Sequence, residues 1–372
     1  MQDHHYDIII TGGGAAGRIL LHFLSAEDYF RNWRILVLES GNRIHEKTWC
    51  FWKKDTHPFE HLICKEWTDL SFAGTGYAKS ENIAPYSYCC IRGADFDNYF
   101  NQQFFPAHPN VTLVNDTVVR TTQHNDGWTV QTSTGCYTGS QVISNLAAAG
   151  QNNRLLQHFF GWFIEYDTPV FDPGKAVLMD FSTVHGDNFC FYYVLPFSEK
   201  KALVECTYYS GSTLPEATYT AQLDAYILKQ YGPGFRRLQT ERGAIPLIEE
   251  APSVVAPDGS LAIGQSAGMI KASTGYAFQR MTEDARLLAA SIGKTQQRRR
   301  RHNRFRFYDR LLLSIIREEP AKAVAIFQRL FEHRRISEIL TFLDEDSCLR
   351  DEIKIFSQLP WWPFLKRIHK SL

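Results

Sequence analysis

The sequence predicts a mixed α/β (α+β) fold: a Rossmann-like N-terminal domain, an antiparallel β-sheet domain and a helical C-terminal region. Three observations carry this. An apolar strand runs into a glycine-rich turn and a helix in "YDIIITGGGAAGRILLHFL". β-Branched and aromatic runs separated by turn signals fill the middle of the chain. From about Glu283 the apolar spacing is helical to the end.

Composition narrows the class. A chain of 372 residues is long enough for two packed subdomains. Lys plus Arg and Asp plus Glu are both 40, so no global field favours nucleic acid. The eight cysteines include no CxxC pair, which excludes a disulfide framework or zinc spacing and suits a reducing compartment. Aromatic residues make up 14% of the chain, a share that fits dense cores and equally a large apolar ligand or a membrane surface. No stretch approaches the roughly 20 apolar residues of a spanning helix. The opening "MQDHHYDIII" enters a strand without a secretory pattern. The expectation is a cytoplasmic protein whose membrane contact, if any, is peripheral.

The first element is the most specific. Gly12, Gly14 and Gly17 form GxGxxG between the strand Asp7 to Thr11 and a helix. Gly12 permits the tight turn, Gly14 admits a pyrophosphate to the backbone, and Gly17 lets helix and strand pack closely. The helix N-terminus presents free N–H groups to the phosphates. The second strand, "RILVLES", ends at Glu39, where an acid accepts hydrogen bonds from an adenosine ribose. The bland alternative is a glycine turn without ligand.

A later stretch, "SLAIGQSAGMIKASTGYAFQRM", points to FAD as the dinucleotide. A short strand, Leu261 to Ile263, leads into Gly264, Gly268 and Gly275 and then a helix. Small residues and a second helix N-terminus suit a flavin ring and its ribityl chain. The competing reading is one more strand-turn-helix of the same sheet.

Between these landmarks the chain is β-rich. "CIRGADFDNYFNQQFF" reads as a loop into a helix, with Asp95 as N-cap. "VTLVNDTVVRTTQHNDGWTVQTSTGCYTGSQVISNL" alternates like a β-meander with a turn at Asn125-Asp126-Gly127. "AVLMDFSTVHGDNFCFYYVLPFSEKKALVECTYYS" supplies at least three antiparallel strands, the last two joined at Ser198-Glu199-Lys200. Asp180 and Glu205 are the acids that interrupt these apolar runs. Alternation puts Leu203, Glu205 and Thr207 on one face, and Val204, Cys206 and Tyr208 on the other. Glu205 is therefore either a solvated surface charge or an acid held in an apolar cavity.

The C-terminal region offers two charge patterns. "RRRRHNRFRFYDR", Arg298 to Arg310, reads first as a solvated helix face. In "WWPFLKRIHKSL", Phe364, Leu365, Ile368 and Leu372 share a face opposite Lys366, Arg367 and Lys370. That helix either lies in a membrane interface or docks on the protein.

Taken together these segments resemble the bacterial lycopene β-cyclase family, flavoproteins related to the geranylgeranyl reductase and aromatic hydroxylase superfamily. Besides the glycine motifs, the resemblance rests on "KTWCFW", "LLQHFFGWFIE", "LMDF", "YVLPFSEKKALVECTYYS", "RGAIPL" and "LTFLDEDSCLRDEIKIFSQLP". It runs almost end to end. Departures are "VISNLAAAG" where the family usually has an Asp-Ala-Arg-Gly element, Lys271-Ala272 in place of His-Pro, and Cys206 where some relatives carry a second acid.

The resemblance implies reduced FAD, NAD(P)H as its reductant, and a linear polyene such as lycopene as substrate. It implies acid-initiated cyclisation to β-ionone rings without net redox change, by way of γ-carotene to β-carotene. Glu205 is the implied catalytic acid or final base, and Asp180 is a second catalytic candidate that orients or relays protons, with a strand-end cap as its competing role. Gly12, Gly14, Gly17, Glu39, Arg92, Gly264, Gly268 and Gly275 are the implied cofactor contacts. Trp49, Phe51, Trp52 and Tyr276 are the implied pocket residues; core packing is the competing role for these aromatics. An FAD-binding domain of residues 1–165 and 240–295 follows, with parts of 45–90 on the substrate side. Residues 165–240 form the β-sheet substrate domain and 296–372 the helical region, a candidate for peripheral membrane contact. Another FAD-dependent isoprenoid reductase or aromatic monooxygenase, or a carotenoid-binding flavoprotein without catalysis, remains the alternative. Nucleic acid and metal are not expected.

Overall fold

A computed structural model describes residues 5–41, 47–146, 155–183, 188–249, 253–256, 258–292 and 303–371. The chain begins with β1 (His5–Thr11), flanked in parallel by β2 (Ile35–Glu39) and β11 (Cys136–Ser144). β8 (Val111–Asn115) extends the sheet beyond β2, so "VTLVN" is a parallel strand and not part of the meander. β10 (Gly127–Thr132) and β9 (Val118–His124) complete it as an antiparallel hairpin, and β17 (Leu261–Ala262) joins β11 in parallel. Ile8, Ile9 and Ile10 are all fully buried. Ile8 and Ile10 pack under α1 (Ala15–Leu24) and α5 (Phe278–Ser291), while Ile9 lies on the other face with Leu36 and Trp128. A parallel strand covered on both sides has no solvent face, which explains its unbroken apolar run.

A small sheet carries β3 (Thr48–Lys53), β7 (Ser87–Arg92) and β4 (Ile63–Trp67). β7 runs straight into α2 (Gly93–Tyr99), whose N-cap is Arg92 rather than Asp95. The strand takes up Cys90, Ile91 and Arg92, where a loop is expected, and the helix starts at Gly93, which leaves Asp95 inside the first turn, where an acid complements the helix dipole. A π-helical segment links α2 to α3 (Phe105–Ala107).

The largest antiparallel region is the second sheet. Its order is β16 (Arg236–Pro246), β12 (Leu156–Glu165), β15 (Lys201–Ser210), β14 (Phe189–Pro196), β13 (Lys175–Asp180), β5 (Asp69–Gly74) and β6 (Tyr77–Asn82). The β14–β15 hairpin turns at Ser198–Lys200, with the Phe197 N–H donating to the Lys201 carbonyl at 2.8 Å. One face packs on α4 (Glu216–Tyr231) through Tyr192, Val204, Tyr219 and Tyr226. The opposite face is roofed by α6 (Asn303–Glu318), α7 (Pro320–His333) and α8 (Ile336–Leu343). α9 (Leu349–Phe356) and α10 (Trp361–Ser371) follow.

The basic segment is only partly a solvated face. Residues 298–302 lie outside the described residues, and Arg304 pairs at 3.0 Å with Glu352, which is 1% exposed. Arg367 likewise leaves the basic side of α10. It is buried, pairs with Glu318 at 2.9 Å and with Glu319 at 3.4 Å, and donates to the Pro363 carbonyl. Docking of α10 on α6 through this guanidinium turns Trp361, Trp362 and Leu365 outward. Leu372 lies outside the described residues.

Candidate active site

Strand alternation gives the second sheet a chemical as well as an apolar face. Between its roofed face, β3, the 270–278 loop and the C-terminal helices lies a cavity of about 530 Å³. Phe191, Tyr193, Thr207 and Tyr209 reach it from β14 and β15, and Phe307, Phe327 and Phe342 from the helices. Trp361 and Leu365 line it and are 65% and 47% exposed, so α10 stands at its mouth.

Glu205 lines this cavity and is only 7% exposed, which removes the surface-charge reading. Its Oε1 has no hydrogen-bond partner among the described residues. Burial pushes its carboxyl well above the ordinary carboxylate range, and neighbouring Glu241 raises it further. Cross-strand register explains the approach. Gly161 on β12 stands opposite Glu205 on one side and Glu241 on the other. A Cβ at Gly161 would lie 2.5 Å from Glu205 Cγ, so the missing side chain is the space that Glu205 occupies.

Glu241 is 2% exposed and also lines the cavity. The Thr48 N–H donates to its Oε1 at 2.7 Å, and the Thr48 hydroxyl lies 3.0 and 3.1 Å from its two oxygens. Burial lifts this carboxyl to about 7, with Thr48, Lys47 and Arg92 pulling the other way. Sequence reasoning missed Glu241 and Gly161. Alternation in "TERGAIP" places Glu241, Gly243 and Ile245 on one face, a signal that was present.

The other acid lies elsewhere. Asp180 is buried and accepts hydrogen bonds from Tyr226 at 2.9 Å and from the Ser182 N–H at 2.7 Å. Tyr226 belongs to the α4 side, so Asp180 does not join Glu205 in the cavity. The cause is a register shift in β13: Val177 pairs with Val194, yet Asp180 pairs with Tyr192. The extra residue turns Asp180 onto the face that plain alternation denies it.

Among the aromatic candidates, Trp49, Trp52 and Tyr276 line the cavity. Phe51 is instead buried against Phe278, with ring centroids 5.1 Å apart. Trp49 stacks on the same Phe278 at 5.5 Å. Tyr88 hydrogen-bonds the hydroxyls of both Tyr193 and Tyr276, the latter at 2.8 Å, so three phenols share one chain beside Glu205.

The glycine segments fit a dinucleotide. Gly12 has φ +101°, and a Cβ at Gly17 would lie 2.5 Å from the Gly12 carbonyl, the close helix–strand approach that this motif requires. Gly14 meets only Asn145 Nδ2, at 3.9 Å, which leaves its surface open to a ligand. Glu39 ends β2 beside Gly13, where its Oε2 lies 3.2 Å from a built Cβ. Gly264, Gly268 and Gly275 all have positive φ. Near Gly275, the buried Gln157 Oε1 and Thr274 Oγ1, on residues that line the cavity, have no hydrogen-bond partner among the described residues and are suited to the hydrogen-bonding edge of a flavin ring. Arg92 is placed differently. It lies over the Phe163 ring at 5.1 Å and donates to Gln239 at 3.4 Å, beside Glu241.

Lys271, where the family usually has His, is 3% exposed and bonds Asp309 at 2.9 Å and Glu345 at 3.2 Å. Arg280 also reaches Glu345, at 2.9 Å. Among the described residues, no group of His, Cys, Asp and Glu has metal-site geometry.

A model of the lycopene cyclase protein family matches residues 7–368. The lycopene beta-cyclase of Pantoea ananas is 24% identical over 288 residues, covering 74% of this chain and 71% of that protein. A geranylgeranyl bacteriochlorophyll reductase-like protein of Thermoplasma acidophilum superposes with a TM-score of 0.60 at 13% identity, covering 99% of this chain and 100% of that one. Halogenase PltM, solved with phloroglucinol and FAD, gives a TM-score of 0.58 at 13% identity over 94% of this chain and 83% of its own. At such identities these structures establish the fold.

Proposed function

The chain belongs to the lycopene cyclase protein family, and from that premise we propose that it closes β-ionone rings on the ψ-ends of lycopene or a related linear carotenoid. The observation that carries this reading is Glu205: a buried carboxyl lining an apolar cavity, with one oxygen that has no hydrogen-bond partner among the described residues. Protonating an alkene needs a neutral carboxylic acid, and desolvation keeps this one neutral. The Glu205 proton passes to the terminal double bond, whose π pair forms the new C–H bond and leaves a tertiary carbocation. The neighbouring alkene attacks that cation and closes the six-membered ring. A ring C–H pair then becomes the ring alkene, and its proton returns to the Glu205 carboxylate. Electrons and protons balance, so the reaction has no net redox change.

The residues around Glu205 suit a cation. The aromatic rings of Tyr193, Tyr276 and Trp52 line the cavity together with Glu205 and would stabilise a cation there, with Tyr88 hydrogen-bonded behind the two phenols. Apolar helices exclude the water that would trap the cation. The family reading calls for reduced FAD, kept reduced by NAD(P)H. Gly12, Gly14, Gly17 and Glu39 would hold its adenosine half, and Thr274, Gly275 and Gln157 its ring. When bound there it supplies negative charge beside the cation.

The volume of about 530 Å³ is that of a small-molecule site, so a long polyene enters end first. Trp361, Trp362 and Leu365 at the mouth support docking on the cytoplasmic face of a membrane, where such a substrate dissolves. Among the described residues no helix is long and apolar enough to cross one.

The test is Glu205→Gln, assayed with reduced FAD and lycopene in lipid. The expected result is at least a hundredfold loss of cyclised product with flavin content unchanged; near-normal conversion removes Glu205 from the reaction. NAD(P)H consumed in proportion to product would favour an isoprenoid reductase instead.

A further inference from the structure

We propose that Glu241 is a positioning residue for proton chemistry: anchored by Thr48, its carboxylate faces Glu205 across the gap at Gly161 and holds the Glu205 carboxyl in its protonated form. The inference rests on the reading of Glu205 given above and adds the group that sets its protonation. Three strands bring the parts together. β15 and β16 both pair with β12, and the register sets Glu205 and Glu241 on either side of the one residue there that has no side chain. The Glu205 methylene occupies the space of the missing Cβ and so leans toward β16.

The two carboxyls have opposite surroundings. Glu241 accepts from the Thr48 N–H and hydroxyl, and Lys47 and Arg92 favour its charge. Glu205 has an oxygen with no hydrogen-bond partner among the described residues. The groups acting on it are Glu241 from β16, Cys50 from β3 and Cys206 from its own strand, with Tyr193 opposite on β14 and Tyr276 on the loop. None of these is a cation. Two buried carboxyls that repel each other across one side-chain-free position cannot both ionise cheaply, so the pair keeps one proton, and the donors at Glu241 place it on Glu205. The same repulsion drives recovery. Once Glu205 has given up its proton, two adjacent anions remain, and the proton released at ring closure is drawn back to Glu205.

The test reads the carboxyl directly. The protonated-carboxyl infrared band of Glu205 is isolated in FAD-loaded protein without carotenoid, as wild type minus Glu205→Gln. It is isolated again in the Glu241→Gln background, as that variant minus the double variant. The expected result is a band that persists through neutral pH in wild type and vanishes at a pH lower by about one unit or more in Glu241→Gln. Thr48→Val, which removes only the hydroxyl donor, shifts the midpoint in the same direction and serves if Glu241→Gln does not fold. Glu241→Asp restores part of the shift. The alkaline limb of cyclisation moves by the same amount as the band. An unchanged midpoint in both Glu241→Gln and Thr48→Val, or no Glu205 band at neutral pH, overturns the proposal. A shifted band in a protein that forms no cyclised carotenoid supports the pair while sinking the cyclase reading. Normal cyclisation with an unmoved midpoint does the reverse.

Discussion

Tyr226 donates its phenolic hydrogen bond to Asp180 at 2.9 Å, on the side of the second sheet that packs against α4. A carboxylate engaged there braces the sheet and does not face the cavity. Asp180→Asn keeps an acceptor for Tyr226, and its carotenoid conversion is expected within a few-fold of wild type. Asp180→Leu removes the buried Tyr226 hydroxyl's carboxylate acceptor and lowers stability by about 1–3 kcal/mol in denaturant unfolding. A hundredfold loss of conversion in well-folded Asp180→Asn would return Asp180 to the chemistry.

Gly275 tests the cofactor cradle. Its φ of +74° disfavours a side chain, and a Cβ there would lie 1.8 Å from Gln157 Oε1. Gly275→Ala is therefore expected to purify with at least tenfold less FAD, read from flavin absorbance per protein. Full flavin content would place the ring elsewhere.

Trp52 ties the small sheet to the helical roof, its indole N–H donating to Asp344 at 2.7 Å. Burial raises the Asp344 carboxyl from 3.8 to about 6. A carboxyl whose folded value is raised favours the folded state below the unfolded value, and that contribution is lost as pH rises through the folded one. Asp344→Asn keeps the acceptor without the charge. It should match wild type at about pH 3, below the unfolded value, and exceed it above pH 6 by about 1–2 kcal/mol, allowing for partial solvent screening. Thermal unfolding at both pH values decides; a constant difference would refute the titration.

The mouth makes a separate prediction. Trp361→Ser with Trp362→Ser removes two rings exposed by 65% and 63%. Co-sedimentation with lipid vesicles should fall at least five-fold in protein whose thermal unfolding is unchanged. Undiminished vesicle binding would refute membrane docking through α10.

What the sequence made legible was local. The strand, glycine turn and helix around Gly12, Gly14 and Gly17 occupy one short stretch, and each residue type states its own backbone demand. The face of Glu205 followed from alternation in an unbroken strand. Asp180 escaped because the register shift after Val177 reverses alternation, and nothing in "LMDF" marks it. Glu241 escaped because its meaning is relational: it matters through Gly161, and only the pairing of β12 with both β15 and β16 joins the three. Arg367 looked like one charge of a basic helix face, and the carboxylates that bury it come from α6 and the residue after it.

Lys271 carries a consequence for how the molecule holds together. Its ammonium belongs to the loop that closes the cavity, yet both counter-charges, Asp309 and Glu345, come from the C-terminal helical region. A chain truncated before α6 would strand that cation without its partners, and an unpaired buried charge destabilises by several kcal/mol. The roof is thus part of the loop's own charge balance rather than a detachable cover. Cutting it away should yield an aggregating fragment, not a lidless enzyme.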